Sequence, residues 1–300
     1  MFENICRMTQ KELKSFVTVK LAKTHKDIVA GDGYVYAQGK FPVLLVAHLD
    51  TVHKEAPYEF IYNSKQKSYS SPQGIGGDDR CGIYMIFEII KQYNCSVLFC
   101  EDEEIGCVGA QKFIKTELAE NLKFNYIIEL DRQGSNDAVF YDCDNPEFEE
   151  FITKDFYKTA CGSFSDISYL APSLGCAAVN LSCGYYKAHT TNEYVVITEM
   201  QDSINAACKI LERTTEKDKF EYIEADYSYS RYKYDSFWDD IDYDYYAKFY
   251  YLIEYVDEHN KTQWCELFAN NDAEAIGKFC MKYPNATFND IIDMCIDDSY

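Results

Sequence analysis

The sequence predicts an α/β fold: a three-layer α/β/α domain with a mixed central sheet, followed by a small α+β appendage. Three observations predict it. Apolar runs at 41–47, 96–100, 124–130 and 176–181 have the length of buried strands. Between them lie stretches with helical spacing, such as Ile83, Phe87 and Ile90, and later Met200, Ile204, Ala207 and Leu211. Strand and helix patterns in alternation build sheets covered on both faces. Finally, three of the strand runs end in a histidine or acids, at 48, 102–104 and 131.

The elements follow in order. Thr9 to Glu12 has the form of a capping box and opens a helix to about Lys23. Asp27–Ala30 and Tyr34–Gln38 read as strands around the turn Gly31-Asp32-Gly33. Phe41–Ala47 is the central strand. Residues 53–72 are polar, with a hairpin around 60–69. Gly74-Ile-Gly-Gly-Asp78-Asp79 then brings two acids to the start of a helix running from Ile83 to Tyr93. The strand Ser96–Cys100 runs into Glu101-Asp-Glu-Glu104, followed by a helix after Gly106. Phe124–Leu130 is a strand ending in Asp131, and Ala138–Tyr141 a short one. Pro146–Lys158 reads as a helix, Cys176–Leu181 as a strand, and Thr198–Arg213 as the helix that closes the domain.

Composition narrows the function. The net charge of −21 argues against binding nucleic acid or an anionic membrane surface. No apolar run approaches the roughly 20 residues of a membrane span, and residues 1–10 have no signal-peptide core. Thirteen scattered cysteines without a Cys-x-x-Cys pair read as reduced thiols in a cytoplasmic protein.

Side chains alternate faces along a strand, so His48 and Asp50 point the same way off the carboxyl end of a core strand, where open α/β sheets place their sites. His-x-Asp alone also describes a satisfied histidine beside a capping aspartate. The other strand ends and two loops extend the set to His48, Asp78, Glu104, Asp131 and His189. Two imidazoles and three carboxylates suit zinc, or cobalt or manganese. Three carboxylates and a hydroxide carry −4, which two divalent ions balance. One ion would leave a costly buried charge.

These stretches resemble the co-catalytic di-zinc exopeptidases, the superfamily of bacterial aminopeptidases, peptidase T, glutamate carboxypeptidase and acetylornithine deacetylase. The matching segments are His48-Leu-Asp50-Thr-Val, Gly76-Gly-Asp78-Asp79-Arg80-Cys-Gly82, Asp102-Glu103-Glu104-Ile-Gly106, Leu130-Asp131 and His189-Thr-Thr-Asn-Glu193, in family order. Thr191 stands where the family often has proline. The resemblance implies that Asp78 bridges two metals. Glu104 and His189 complete one site, and His48 and Asp131 the other. It makes Asp50 the carboxylate that orients His48, Glu103 the general base, and Asp78–Asp79 a cis peptide. The function implied is a metal-dependent exopeptidase acting on peptides, an aminopeptidase or di/tripeptidase. A deacylase of small N-acyl amides, or an inactive metal-binding scaffold with a partner-binding C-terminus, are the alternatives.

Only 28 positions separate Asp50 from Asp78 and 58 separate Asp131 from His189. A lid domain of about 100 residues fits in neither gap, so a lidless plan like that of single-domain aminopeptidases is expected. Ser163, Ser165 and Asp166 either line the substrate pocket or cap a helix. Arg80 and Arg132 read as salt-bridge partners near the site or as binders of a substrate carboxylate, and His25, His53 and His259 as surface histidines, of which His53 alone is near enough to the motif for a substrate role.

Every candidate ligand precedes residue 190, so residues 1–215 form the hydrolase domain. Residues 216–246, dense in Tyr and Asp, read as a linker or as a contact strip for an oligomer or partner. Residues 247–300 form the appendage: a strand at 248–256 and helices at 271–283 and 288–295.

Overall fold

The apolar runs lie side by side in a computed structural model, which describes residues 1–162, 164–225, 249–256, 261–269, 278–279, 282–283 and 287–295. Two compact units divide the chain, Met1–Ala225 and Asp226–Tyr300. In order, the first contains α1 (Phe2–Cys6), α2 (Gln10–Leu21), β1 (Ile28–Gly31), β2 (Tyr34–Ala37), β3 (Phe41–His48), β4 (Ile61–Asn63), β5 (Ser68–Ser70), α3 (Gly77–Ile89), β6 (Cys95–Cys100), α4 (Val108–Phe113), α5 (Glu117–Glu120), β7 (Tyr126–Arg132), β8 (Asp137–Val139), α6 (Pro146–Thr153), β9 (Lys158–Ala160), α7 (Asp166–Leu174), β10 (Ala178–Ser182), β11 (Tyr185–Tyr186), β12 (Tyr194–Val196) and α8 (Ile197–Arg213). Among the described residues no helix is long and apolar enough to cross a membrane.

The main sheet has eight strands in the order β1-β2-β6-β3-β7-β10-β8-β9. Its centre, β6-β3-β7-β10, is parallel, and β2 and β8 flank it antiparallel. The sheet is therefore mixed, as the sequence predicts. Alternation splits the core into two layers. Val43, Leu45 and Ala47 face one way, with Leu13 and Val17 of α2, Ile83 and Ile86 of α3, and Ile204 and Leu211 of α8. Leu44 and Val46 face the other, with Phe113 of α4, Ala119 of α5 and Leu170 of α7. A second sheet, β11-β12-β5-β4, is antiparallel.

Local chemistry explains the helix starts. Thr9 and Glu12 form the capping box, with Glu12 N–H on the Thr9 hydroxyl at 3.4 Å and Thr9 N–H on Glu12 Oε2 at 3.0 Å. Asn145 caps α6 by accepting from Phe148 N–H at 3.1 Å, with Pro146 in the first turn. The helix expected to Lys158 ends at Thr153, because Lys158–Ala160 pairs with β8 instead. The short α1 was not legible in the polar N-terminus. It forms because Phe2, Ile5 and Cys6 are buried against the core.

Residues 216–225, expected within the linker, pack on the first unit. Phe220 O accepts Ala177 N–H at 2.8 Å, and its ring lies 5.1 Å from those of Phe148 and Phe151. Glu221 and Glu224 bridge to Cys176 and Cys143. In the second unit, β13 (Phe249–Val256) matches the expected strand, and β14 (Thr262–Ala269) pairs with it. The helix expected at 288–295 is a strand, β15 (Thr287–Cys295), paired antiparallel with β13. Phe288, Ile291, Ile292 and Cys295 fit a helical spacing, but Thr287, Ile291 and Ile292 are β-branched and a partner strand is present. The strip 228–246, His259 and most of the expected helix at 271–283 lie outside the described residues.

Candidate metal centre

The centre forms at the carboxyl ends of three adjacent parallel strands. His48 is the last residue of β3, Asp131 lies near the end of β7, and Glu104 follows β6. Asp78 stands at the start of α3 with non-helical backbone (φ −84°, ψ 100°), and its peptide to Asp79 is cis. His189 comes from the loop between β11 and β12.

The two oxygens of Asp78 divide between the imidazoles. Oδ1 lies 3.0 Å from His48 Nε2, and Oδ2 lies 3.2 Å from His189 Nε2. His48 Nε2 is also 3.3 Å from Asp131 Oδ1, and His189 Nε2 is 3.0 Å from Glu104 Oε2. All five predicted residues meet, as two trios sharing Asp78. Ligand atoms of His48, Asp78 and Glu104, and likewise of His48, Asp79 and Asp131, come within 4.8 Å of one another. Asp79, however, spends its carboxylate on the backbone. Oδ2 accepts His48 N–H at 3.2 Å and Oδ1 accepts Gly82 N–H at 2.8 Å, tying β3 to α3. Gly82 permits the close crossing, since a Cβ there would lie 1.8 Å from Leu130 O.

Electrostatics are those of crowded buried acids. Burial, reinforced by Asp78, pushes the Asp131 carboxyl up to about 7. Burial also raises Glu104 and carries Glu103 well above the usual carboxylate range. Burial opposes ionisation of Asp78 too, but the two imidazoles outweigh it and hold that carboxyl far below its usual value. Burial alone would lower the imidazoles. Asp78 and Glu104 instead raise His189 to about 11, and the surrounding aspartates raise His48 well above 6.5. Glu104 Oε1 is buried without a hydrogen-bond partner. An orphaned carboxylate oxygen among two imidazoles and three acids fits a divalent metal.

The predicted supporting residues are also here. Asp50 Oδ1 accepts Glu103 N–H at 3.0 Å and lies 3.3 Å from His48 Nδ1. Its Oδ2 accepts Glu104 N–H at 3.0 Å. These partners hold Asp50 below its ordinary value against its burial. Glu103 is partly buried on the same loop. Ser165 caps α7, and its hydroxyl donates to Glu129 at 2.6 Å and lies 3.2 Å from Asp131 Oδ2, whereas Ser163 lies outside the described residues. Asp166 is fully buried.

Three expectations change. Arg80 makes no ion pair among the described residues. Its buried guanidinium donates to the carbonyls of Leu49, Asp50 and Met8, at 2.6, 3.1 and 3.3 Å. Arg132 does pair, with Asp137 at 3.5 Å. His25 and His53 are not surface histidines: His25 Nε2 meets Cys95 O at 2.8 Å, and His53 Nε2 meets Glu193 at 3.0 Å. Beside the centre, a cavity of about 210 Å³ is lined by Asp50, Thr51, His53, Gly74 and Arg80 among others. Residue patterns alone had no signal for the buried Glu129 or for Asn180, whose Oδ1 accepts Asp131 N–H at 2.9 Å.

Residues 34–170 match peptidase family M28. No curated protein matches the chain. Among solved structures, the aminopeptidase PepT from Bacillus cereus is 14% identical, with 70% of this chain and 96% of that one covered and a TM-score of 0.57. A tripeptidase from Staphylococcus aureus is 13% identical, covering 70% and 96%, with a TM-score of 0.55. An aminopeptidase from the archaeon Desulfurococcus kamchatkensis is 13% identical, covering 72% and 95%, with a TM-score of 0.56. The matched segment holds four of the five ligand candidates, and the fifth, His189, closes on them in space. The match over residues 34–170 and the clustered acids and imidazoles together indicate a hydrolase, a metallopeptidase.

Proposed function

We propose that this metallopeptidase is an aminopeptidase of short peptides that uses two divalent ions, zinc in the first instance. The observation that carries the reading is the division of Asp78 between His48 and His189, the arrangement a bridging carboxylate needs. In this reading Glu104, His189 and Asp78 would hold one ion, and His48, Asp131 and Asp78 the other. When bound, such ions supply an acidified water and an electrophile for the scissile carbonyl.

The chain's own residues do the rest. Glu103 takes the proton of the attacking water and returns it to the leaving amine. Its raised affinity for a proton, caused by burial, suits that role. Asp50 fixes the loop of Glu103 and Glu104 through their N–H groups and orients the His48 ring. The net charge of −21 favours a peptide's amino end over its carboxylate. The buried thiols suit a cytoplasmic location.

The test is a screen of free short peptides, aminoacyl reporters and N-acylated counterparts with zinc, cobalt or manganese. Cleavage of substrates with a free amino end, lost on chelation and regained with metal, is expected. Cleavage of N-acylated substrates alone, or activity indifferent to chelation, refutes the reading.

A further inference from the structure

We infer that Glu193 is a positioning residue that clamps the backbone presenting Asp78 to the metals. The inference rests on the reading of Asp78 as a metal ligand and adds a residue to it. Glu193 is fully buried, and a buried carboxylate is costly unless its oxygens are satisfied. Both are. Oε1 accepts the N–H of Asp78 at 3.0 Å, and Oε2 accepts the N–H of Gly76 at 2.9 Å. His53 Nε2 closes on Oε2 at 3.0 Å.

The local chain needs such a clamp. The first N–H groups of a helix have no partner within it, and the residue before the helix ordinarily supplies one from its side chain. Here that residue is Gly76, left-handed at φ 66° and without a side chain. Asp78 and Asp79 depart from helical geometry as well. Glu193, distant in sequence, caps this start from outside with charge-assisted bonds. Space is tight around it: a Cβ on Gly77 would lie 3.1 Å from Glu193 Oε1 and 2.8 Å from both Tyr185 and Val195.

Glu193 also stands four positions after His189, in a turn closed by Glu193 N–H on Thr190 O at 3.1 Å. One short loop thus grips Asp78 at both ends. His189 meets its carboxylate, and Glu193 holds its backbone N–H. The spacing of the two imidazoles about Asp78 therefore depends on where Glu193 sits.

The experiment measures zinc binding to the chelated and restored full chain by calorimetry, beside thermal melting. Glu193→Gln keeps the shape but sets an NH2 group against one of the two N–H donors. It is expected to melt cooperatively and to bind zinc about 10–100-fold more weakly, the usual effect of losing a group that supports a ligand. Ser203→Ala is the control for a merely structural loss, since that buried hydroxyl bonds Tyr157 and Ser182. It should lower the melting temperature with zinc affinity unchanged. Glu193→Asp keeps the charge one methylene short and should lose less affinity than Glu193→Gln. It decides the matter if Glu193→Gln does not fold. Wild-type zinc affinity in a folded Glu193 variant overturns the inference. Absence of zinc binding by the wild type would instead overturn the metal-centre reading.

Discussion

Replacing Asp50 with asparagine tests how the site loop is held. The carboxylate accepts two hydrogen bonds, from Glu103 N–H at 3.0 Å and Glu104 N–H at 3.0 Å, and faces the His48 ring at 3.3 Å. An asparagine has one acceptor oxygen and a donating NH2 group. If the oxygen faces Glu103 and His48, the NH2 group faces the Glu104 N–H. The flipped side chain leaves the Glu103 N–H and the imidazole facing it instead. Either way a largely buried donor loses its partner, at a cost of about 1–3 kcal/mol. At about 1.4 kcal/mol per tenfold, that predicts a 5- to 150-fold loss, roughly, in metal affinity or in rate. Glu103→Gln should affect rate alone, whereas Asp50→Asn should affect both, because Asp50 holds Glu103 and Glu104 on one loop.

The pH dependence has a definite sign. Asp50 is held below its ordinary 3.8, against its burial, by His48 and the two N–H groups. A depressed carboxylate stabilises the fold above the unfolded value, and that contribution fades as pH falls through the folded one. The stability gap between wild type and Asp50→Asn should therefore be full above about pH 4 and close below it. Denaturant melts across pH 2–7 and zinc titrations measure the two arms. Wild-type zinc affinity, rate and acid stability in Asp50→Asn would refute the reasoning.

Glu103→Gln should keep its metals and lose about 10²–10⁴-fold in rate, while Glu104→Gln should lose metal. The reverse result, read by metal analysis and kinetics, would exchange the roles. Burial opposes the charge on His189, yet Asp78 and Glu104 raise it to about 11, and His48 is raised as well, so the chelated site favours the protonated imidazoles. In chelated protein their contribution to stability is full below 6.5 and, for His189, lost as pH rises through about 11. Zinc must displace those protons, so affinity should rise with pH, and calorimetry in buffers of different protonation heat should detect their release. Zero release would contradict the reading. A fragment ending at Ala225 should fold and bind metal, because the first compact unit runs to that residue. A folded fragment that binds none would mean that the second unit contributes to the site.

Three of the five ligand candidates were legible because they sit at or just past strand ends. A buried strand announces itself as an apolar run, and the polar residue just past it must lie at the sheet's edge. His48, Glu104 and Asp131 became candidates that way, their roles following from the resemblance, and the three glycines before Asp78 marked a loop held close to something. The second layer was not legible, because its partners are distant in sequence. Glu129 lies within an apolar strand and is buried against Ser165 from another element. Arg80 looked like half of a salt bridge and instead holds three carbonyls. His25 and His53 looked exposed because nothing in their neighbourhoods reveals Cys95 O or Glu193. Where periodicity was shared between helix and strand, as at 288–295, only the presence of β13 could decide.

Strand order explains why the site falls where it does. β3 lies between β6 and β7, both later in the chain. The route from β3 to β6 passes through α3, packed in the layer that contains Val43, Leu45 and Ala47. The route from β6 to β7 passes through α4 and α5, packed in the opposite layer with Leu44 and Val46. Connections that leave neighbouring strand ends toward opposite faces open a crevice between them, the position open α/β sheets use for ligands. His48 stands on that crevice at the end of β3. The first crossover brings in Asp78, the turn out of β6 brings Glu103 and Glu104, and the end of β7 brings Asp131. Only His189 and Glu193 arrive from outside this set, on the loop between β11 and β12. On the proposed reading, a loop that carries both His189 as a ligand and Glu193 as the clamp on Asp78 has little freedom to vary its length. An insertion between residues 189 and 193 should therefore be far more damaging than one of equal size in the exposed β4–β5 hairpin.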